Sequence, residues 1–133
     1  MQLKEYFASN KGIGVMSTAD LEGKVDAAIY ARPHVMDDGT IAFIMRDRLT
    51  HQNIVQNPYA SYLFIENAVG YQGVRLFLKK VREDDNAELL KEMTRRSLTL
   101  EEDAAKGPKF IVYFEIETAL NLIGGESLDF DFG

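Results

Sequence analysis

A chain of 133 residues, 46% apolar and 27% charged, has the size and composition of one folded domain rather than of a disordered segment. Its net charge is −6 and no Lys/Arg run exceeds two, which argues against nucleic acid, whose phosphates select a basic surface. It has no cysteine, which excludes disulfides, thiol catalysis and thiolate metal sites, and no apolar run near the ~20 residues that span a bilayer. MQLKEYFASNKG lacks the pattern of a signal peptide, so no membrane partner and a cytoplasmic location are expected.

Leu3, Tyr6 and Phe7 fall at helical spacing, so residues 2–9 read as a short amphipathic helix ended by Asn10 and Gly12. Residues 13–19 form a strand and residues 20–23 a turn. Residues 24–36 read as one long second strand; Pro33 cannot donate to a ladder, so this part lies at an edge or a bulge. Asp37-Asp38-Gly39 predicts a hairpin turn into the short apolar strand Ile41 to Met45. Arg46, Asp47 and Arg48 interrupt it with charge. Thr50 then stands as the N-cap of a helix carrying Ile54 and Val55 and closed by Asn57-Pro58. A helix start exposes unpaired N–H groups and partial positive charge, so the Thr50 hydroxyl and the amides of His51, Gln52 and Asn53 can converge on one phosphate. With Arg46 and Arg48 just before it, this corner is a candidate anion site. An ordinary capped helix flanked by solvated arginines is the other reading of the same residues.

Further on, residues 60–65 and 74–83 read as strands around the corner Gly70-Tyr71-Gln72-Gly73. Residues 84–86 can cap a helix with Ala87, Leu90 and Met93 as its apolar positions. Thr99 with Glu102 makes a capping box, and Gly107-Pro108 stops that helix. The acids of Arg82 to Asp85 and of Leu100 to Asp103 fit helix starts better than a catalytic carboxylate pair. In the last strand, residues 110–122, Phe110, Val112, Phe114 and Ile116 alternate on one face. The acidic tail carries Phe130 and Phe132. Six strands joined mainly by hairpins, with only short helices, predict a mainly β fold: a six-stranded antiparallel β-barrel or sandwich with attached helices, in a single domain over residues 1–133.

The order of elements and the corner residues resemble the FMN-binding split-barrel family, the pyridoxamine 5′-phosphate oxidase-like proteins. The resemblance rests on Glu22-Gly23, Asp38-Gly39, Asn53-Ile54-Val55-Gln56-Asn57-Pro58 and Gly70-Tyr71-Gln72-Gly73-Val74-Arg75, and covers about residues 12–83. It implies FMN as cofactor, with its phosphate at the turn before the Asn53–Pro58 helix, and a homodimer with each flavin at the interface. The family commonly places Arg-Lys or Lys-Thr in that turn. Here it reads Leu49-Thr50, so the threonine is matched and the lysine is missing, and Arg46 or Arg48 is left to supply the charge.

The same resemblance places Arg32 and His34 beside the flavin ring, Met45 and Arg46 at the strand end under it, and Gln72 and Gly73 at or next to a glutamine position facing the flavin. A true pyridoxamine phosphate oxidase also carries a C-terminal Arg-Leu-x-Pro segment, and this chain has no arginine after Arg96. His34 and His51, the only histidines, make a weak metal case, and none is expected. The expectation is an FMN-dependent oxidoreductase with a small-molecule or protein redox partner. A non-catalytic flavin carrier, or a split barrel holding haem or deazaflavin, is the alternative.

Overall fold

The computed structural model describes residues 2–93 and 107–130. The first helix, α1 (Leu3–Ser9), turns Leu3, Tyr6 and Phe7 inward, as their spacing requires. Strand β1 (Gly12–Ala19) follows and forms a hairpin with β2 (Val25–Tyr30). The expected long second strand is broken at Ala31-Arg32-Pro33, and its far end is a separate two-residue strand, β3 (His34–Val35). The reason is pairing: β2 bonds to β1, whereas β3 bonds to β4 (Ile41–Arg46), with Gly39 in the left-handed region at the turn between them. Then come α2 (Leu49–Gln56), β5 (Tyr59–Glu66), β6 (Gly73–Asp84), α3 (Ala87–Met93) and β7 (Lys109–Asn121).

The strands form one antiparallel sheet of seven, ordered β2-β1-β5-β6-β7-β4-β3. The fold class is the expected one, with seven strands where six were read, because the break at Pro33 divides one strand into two. Consecutive strands β2 and β3 therefore occupy opposite edges of the sheet, only three residues apart. That connector draws the edges together and curls the sheet into a split barrel. Register shifts in β6, between Phe77 and Leu78 and between Lys80 and Arg82, add the local bend that curling needs.

The barrel interior holds Met16, Phe43, Met45, Tyr62, Phe64, Leu76, Leu78, Val112 and Phe114, with α1 sealing one side. Burying each of the larger side chains is worth about 1.5–3 kcal/mol relative to leaving it in water. The other face of β4 and β7 is covered as well: Ala42, Ile111 and Tyr113 pack against Leu90 and Met93 of α3. Asn86 caps α3, its side-chain oxygen accepting the Leu89 N–H at 3.0 Å. The predicted capping box of Thr99 and Glu102 and the tail residue Phe132 lie outside the described residues. Among the described residues no helix is long and apolar enough to cross a membrane.

Candidate functional site

Thr50 is not the N-cap of α2. Arg48 holds that position in extended conformation, and no side-chain hydrogen bond caps the helix. Thr50 lies inside the first turn, 3% exposed, because its hydroxyl is taken up by the sheet: it faces the Asp26 carboxylate at 3.5 Å and hydrogen-bonds with Tyr30. Burial lifts the Tyr30 phenol above its ordinary value, the Thr50 hydrogen bond and the Arg48 charge oppose that rise, and the Asp26 charge adds to it.

One turn on, the Asn53 amide donates to the Thr18 hydroxyl at 3.1 Å, both residues being buried. Thr50 and Asn53 thus fasten α2 onto β2 and β1. The Gln52 N–H is bonded to the Arg48 carbonyl at 2.9 Å, so it is part of the helical ladder rather than available to a phosphate. The amides ahead of it, those of Leu49, Thr50 and His51, are the ones a helix start leaves without intrahelical acceptors.

His51 lies on another side of α2, 5% exposed, stacked on Phe110 with ring centroids 4.2 Å apart and planes 5° from parallel. Its Nδ1 is 3.2 Å from Asp47 and its Nε2 is 3.2 Å from both carboxylate oxygens of Glu83. Glu83 also takes Lys80 at 2.6 Å. Glu83 is not a helix-start acid: it lies in β6 and faces His51. The side chain of His51 is therefore a buried tie between α2 and β6, while its backbone N–H faces the helix start.

The remaining candidates are dispersed. The Arg46 guanidinium donates to the Gly107 carbonyl at 2.8 Å, and Met45 is fully buried in the barrel core. Arg32, in the break between β2 and β3, donates to the Phe7 carbonyl and, at 3.0 Å, to that of Asn10, closing the C-terminal end of α1. His34 pairs with Ala42 and is half-buried. Gly73 is where β6 passes tightly beside β5: a Cβ there would lie 1.9 Å from the Phe64 carbonyl oxygen. Gln72 accepts the Glu66 N–H on its backbone oxygen at 2.8 Å. Thr50 sits level with the Thr18–Ala60 pair and Gln72 lies beyond Glu66, so six residues of β5, roughly 20 Å, separate the two along one chain. Arg75 donates to the backbone carbonyls of Asn121 and Gly124. Among the described residues no group of three or more His, Asp or Glu side chains is placed to hold a metal ion.

Asp26, Tyr30 and Glu83 were missed as members of these clusters. Asp26, Ala28 and Tyr30 alternate on one face of β2, and Asp47 lies one helical turn before His51; those spacings are their only traces in the sequence.

A curled antiparallel sheet split at Pro33, with a short helix start bearing on its edge, is the architecture of the FMN-binding split barrels. The chain is 18% identical to an FMN-binding protein from Syntrophomonas wolfei subsp. wolfei, with a TM-score of 0.70 over 92% of this chain and 85% of that one. It is 20% identical to an F420 reductase, with a TM-score of 0.65 over 90% and 98%. To general stress protein 26 from Bacillus anthracis str. Sterne it is 17% identical, with a TM-score of 0.66 over 96% and 98%. At these identities the likeness is one of fold. No protein-family model matches the sequence, and no curated protein matches it.

Proposed function

We propose that the protein is a cytoplasmic FMN-dependent oxidoreductase that works as a homodimer, its flavin phosphate held at the start of α2. The observation that carries this reading is the set of donors at that helix start. It has no side-chain cap and no acid in its first turn, while Arg48 is exposed at the N-cap and Arg46 stands at the end of β4. Asp47 is drawn off onto His51, while Asp26 faces Thr50 from the sheet side. The donor set fits a phosphate: amides of Leu49, Thr50 and His51 with guanidinium groups beside them. When bound, the flavin supplies hydride or electron transfer through its ring, and a small molecule or a redox protein is the partner. The chain's own task is to hold and orient it, which is why α2 is fastened by Thr50, Asn53 and His51.

Titration of the apoprotein with FMN, followed by flavin fluorescence, tests this. The Arg46→Ala/Arg48→Ala double variant leaves the anchors Thr50 and Asn53 in place. It is expected to weaken FMN roughly tenfold to hundredfold, the worth of one or two charge-assisted hydrogen bonds, with an unchanged far-ultraviolet spectrum. Equal affinity in wild type and variant sinks the phosphate assignment. Uptake of a deazaflavin or haem in place of FMN moves the reading to that cofactor.

The dimer is supported by the outer face of the sheet. Ile29 and Val25 of β2, Ile13 of β1, Ile65 of β5 and Phe77 of β6 point away from the core, and Ile29 is 72% and Val25 83% exposed. In register, Val15 lies between Ile29 and Leu63, so these side chains join into one apolar surface. A second copy of the chain is the occupant we propose. Gln72, far from Thr50 in its own chain, then reaches a flavin only from the partner copy. Ile29→Glu is expected to convert a dimer to a monomer in light scattering and to lower FMN affinity with it; an Ile29→Glu protein that stays dimeric rules this face out.

A further inference from the structure

The far end of the barrel contains a cavity of about 430 Å³, within the size range of small-molecule pockets. It lies between the end of β5, the start of β6, the end of β7 and the segment that follows β7. Its walls are held by backbone hydrogen bonds. The Leu122 N–H meets the Gly73 carbonyl at 3.2 Å, Asn121 meets Glu126 at 3.0 Å, and Leu128 folds back onto Ala119 at 2.8 Å. The space is therefore built into the fold rather than left by a loose tail.

Its lining has a definite chemistry. Val74, Leu122, Ile123 and Leu128 make an apolar wall, and the rings of Tyr6, Tyr71 and Phe130 complete it, with Tyr6 and Phe130 in contact at 5.8 Å. The charged side chains among the described lining residues are Glu66 and Asp129, both acids. The nearby Arg75 is turned onto the carbonyls of Asn121 and Gly124. Glu66 is half-buried and lines the cavity, and one of its oxygens accepts the Tyr6 hydroxyl at 2.6 Å, which fixes the carboxylate. Burial, reinforced by the Glu66 hydrogen bond and charge, holds the Tyr6 phenol well above its ordinary range, so it stays a neutral donor that orients Glu66.

From this charge complementarity we infer that the cavity binds a small organic cation: an ammonium or amidinium head on a flat or aliphatic body. The head would pair with Glu66 and lie against aromatic faces, and the body would cover the Leu122–Leu128 wall. A bare metal ion does not match, because the polar groups are few and the walls largely apolar. The inference does not rest on the phosphate assignment at α2, from which the cavity is roughly 20 Å distant within one chain; Gln72, which lines it, is the residue the two sites share in the proposed dimer.

Tryptamine and indole-3-propionate share a ring and a linker and differ in the sign of their charge. Isothermal titration of the full-length protein with each is the test. Tryptamine is expected to bind saturably and at least about tenfold more tightly than the acid, the worth of one hydrogen bond to a charged group. Glu66→Gln, which keeps an oxygen for Tyr6, removes that preference. Ile123→Arg, at an exposed rim position where folding is not at stake, abolishes tryptamine binding. No saturable binding, equal binding of the two probes, or tryptamine binding untouched by both substitutions overturns the assignment.

Discussion

Replacing His51 by alanine is expected to lower folding stability by about 2–3 kcal/mol, the loss of a buried, stacked ring and of its hydrogen bonds to charged groups. The ring is buried, stacked on Phe110, and both of its nitrogens face carboxylates, which only accept hydrogen bonds when ionised. Each ring nitrogen lies within hydrogen-bond distance of a carboxylate, so His51 links Asp47 at the start of α2 to Glu83 of β6. Removing it leaves a void beside Phe110 and two carboxylates that have lost their shared partner. The side chains of Asp47 and Glu83 are 51% and 27% exposed, so water and Lys80 restore part of what is lost.

The same cluster sets an acid limb. Burial pushes the Glu83 carboxyl up, but the hydrogen bonds and charges of Lys80 and His51 prevail and hold it below its ordinary value of 4.5. A folded-state value below the unfolded one means that the contribution is complete above about pH 4.5 and is lost as pH falls through the folded value. Urea melts of wild type and His51→Ala between pH 3 and 7 are expected to converge as the solution is acidified. Parallel curves with a constant gap would show that the cluster acts through packing alone.

What the sequence made legible was local. Periodicity placed α1 and most strands, and Asp38-Gly39 marked its hairpin, because each signal sits within a few residues of its effect. Thr50 was misplaced by two positions for a physical reason: a threonine before an apolar run is a good cap, but Asp26 and Tyr30 compete for its hydroxyl across twenty or more residues of chain. Pro33 signalled an irregularity without saying that the strand divides between the two edges of a sheet, since that depends on which partners are present. The alternation of Phe110, Val112, Phe114 and Ile116 suggested one buried face, whereas α3 covers the other as well. The far cavity left no trace, since Tyr6, Glu66 and Phe130 come from three distant segments with no shared spacing.

Gly14→Ala is expected to destabilise the fold by about 3 kcal/mol or more, an overpacking cost joined to lost hydrogen bonds at a fully buried site. A Cβ on Gly14 would lie 1.9 Å from the Tyr62 hydroxyl oxygen, 2.4 Å from the ring carbon bearing it, and 2.7 Å from the Tyr30 carbonyl oxygen. Tyr62 belongs to β5, yet its hydroxyl crosses β1 at Gly14 and donates between the carbonyls of Tyr30 and Ala31, at 3.2 and 3.1 Å. Those carbonyls stand where β2 ends and the ladder is interrupted before Pro33. The missing side chain of Gly14 is thus the passage through which β5 holds the end of β2, and with it the Tyr30 ring that meets Thr50. Tyr62→Phe alone loses the two contacts and is expected to cost about 1–3 kcal/mol. In the double variant the nearest clashing atom is gone but the ring carbon still crowds the new methyl, so the two effects are expected to sum to more than the double variant shows. Strict additivity would mean that Gly14 and Tyr62 act separately. A Gly14→Ala protein melting within about 0.5 kcal/mol of wild type would mean that the sheet opens to admit the methyl, and the fastening of β2 would have to lie elsewhere.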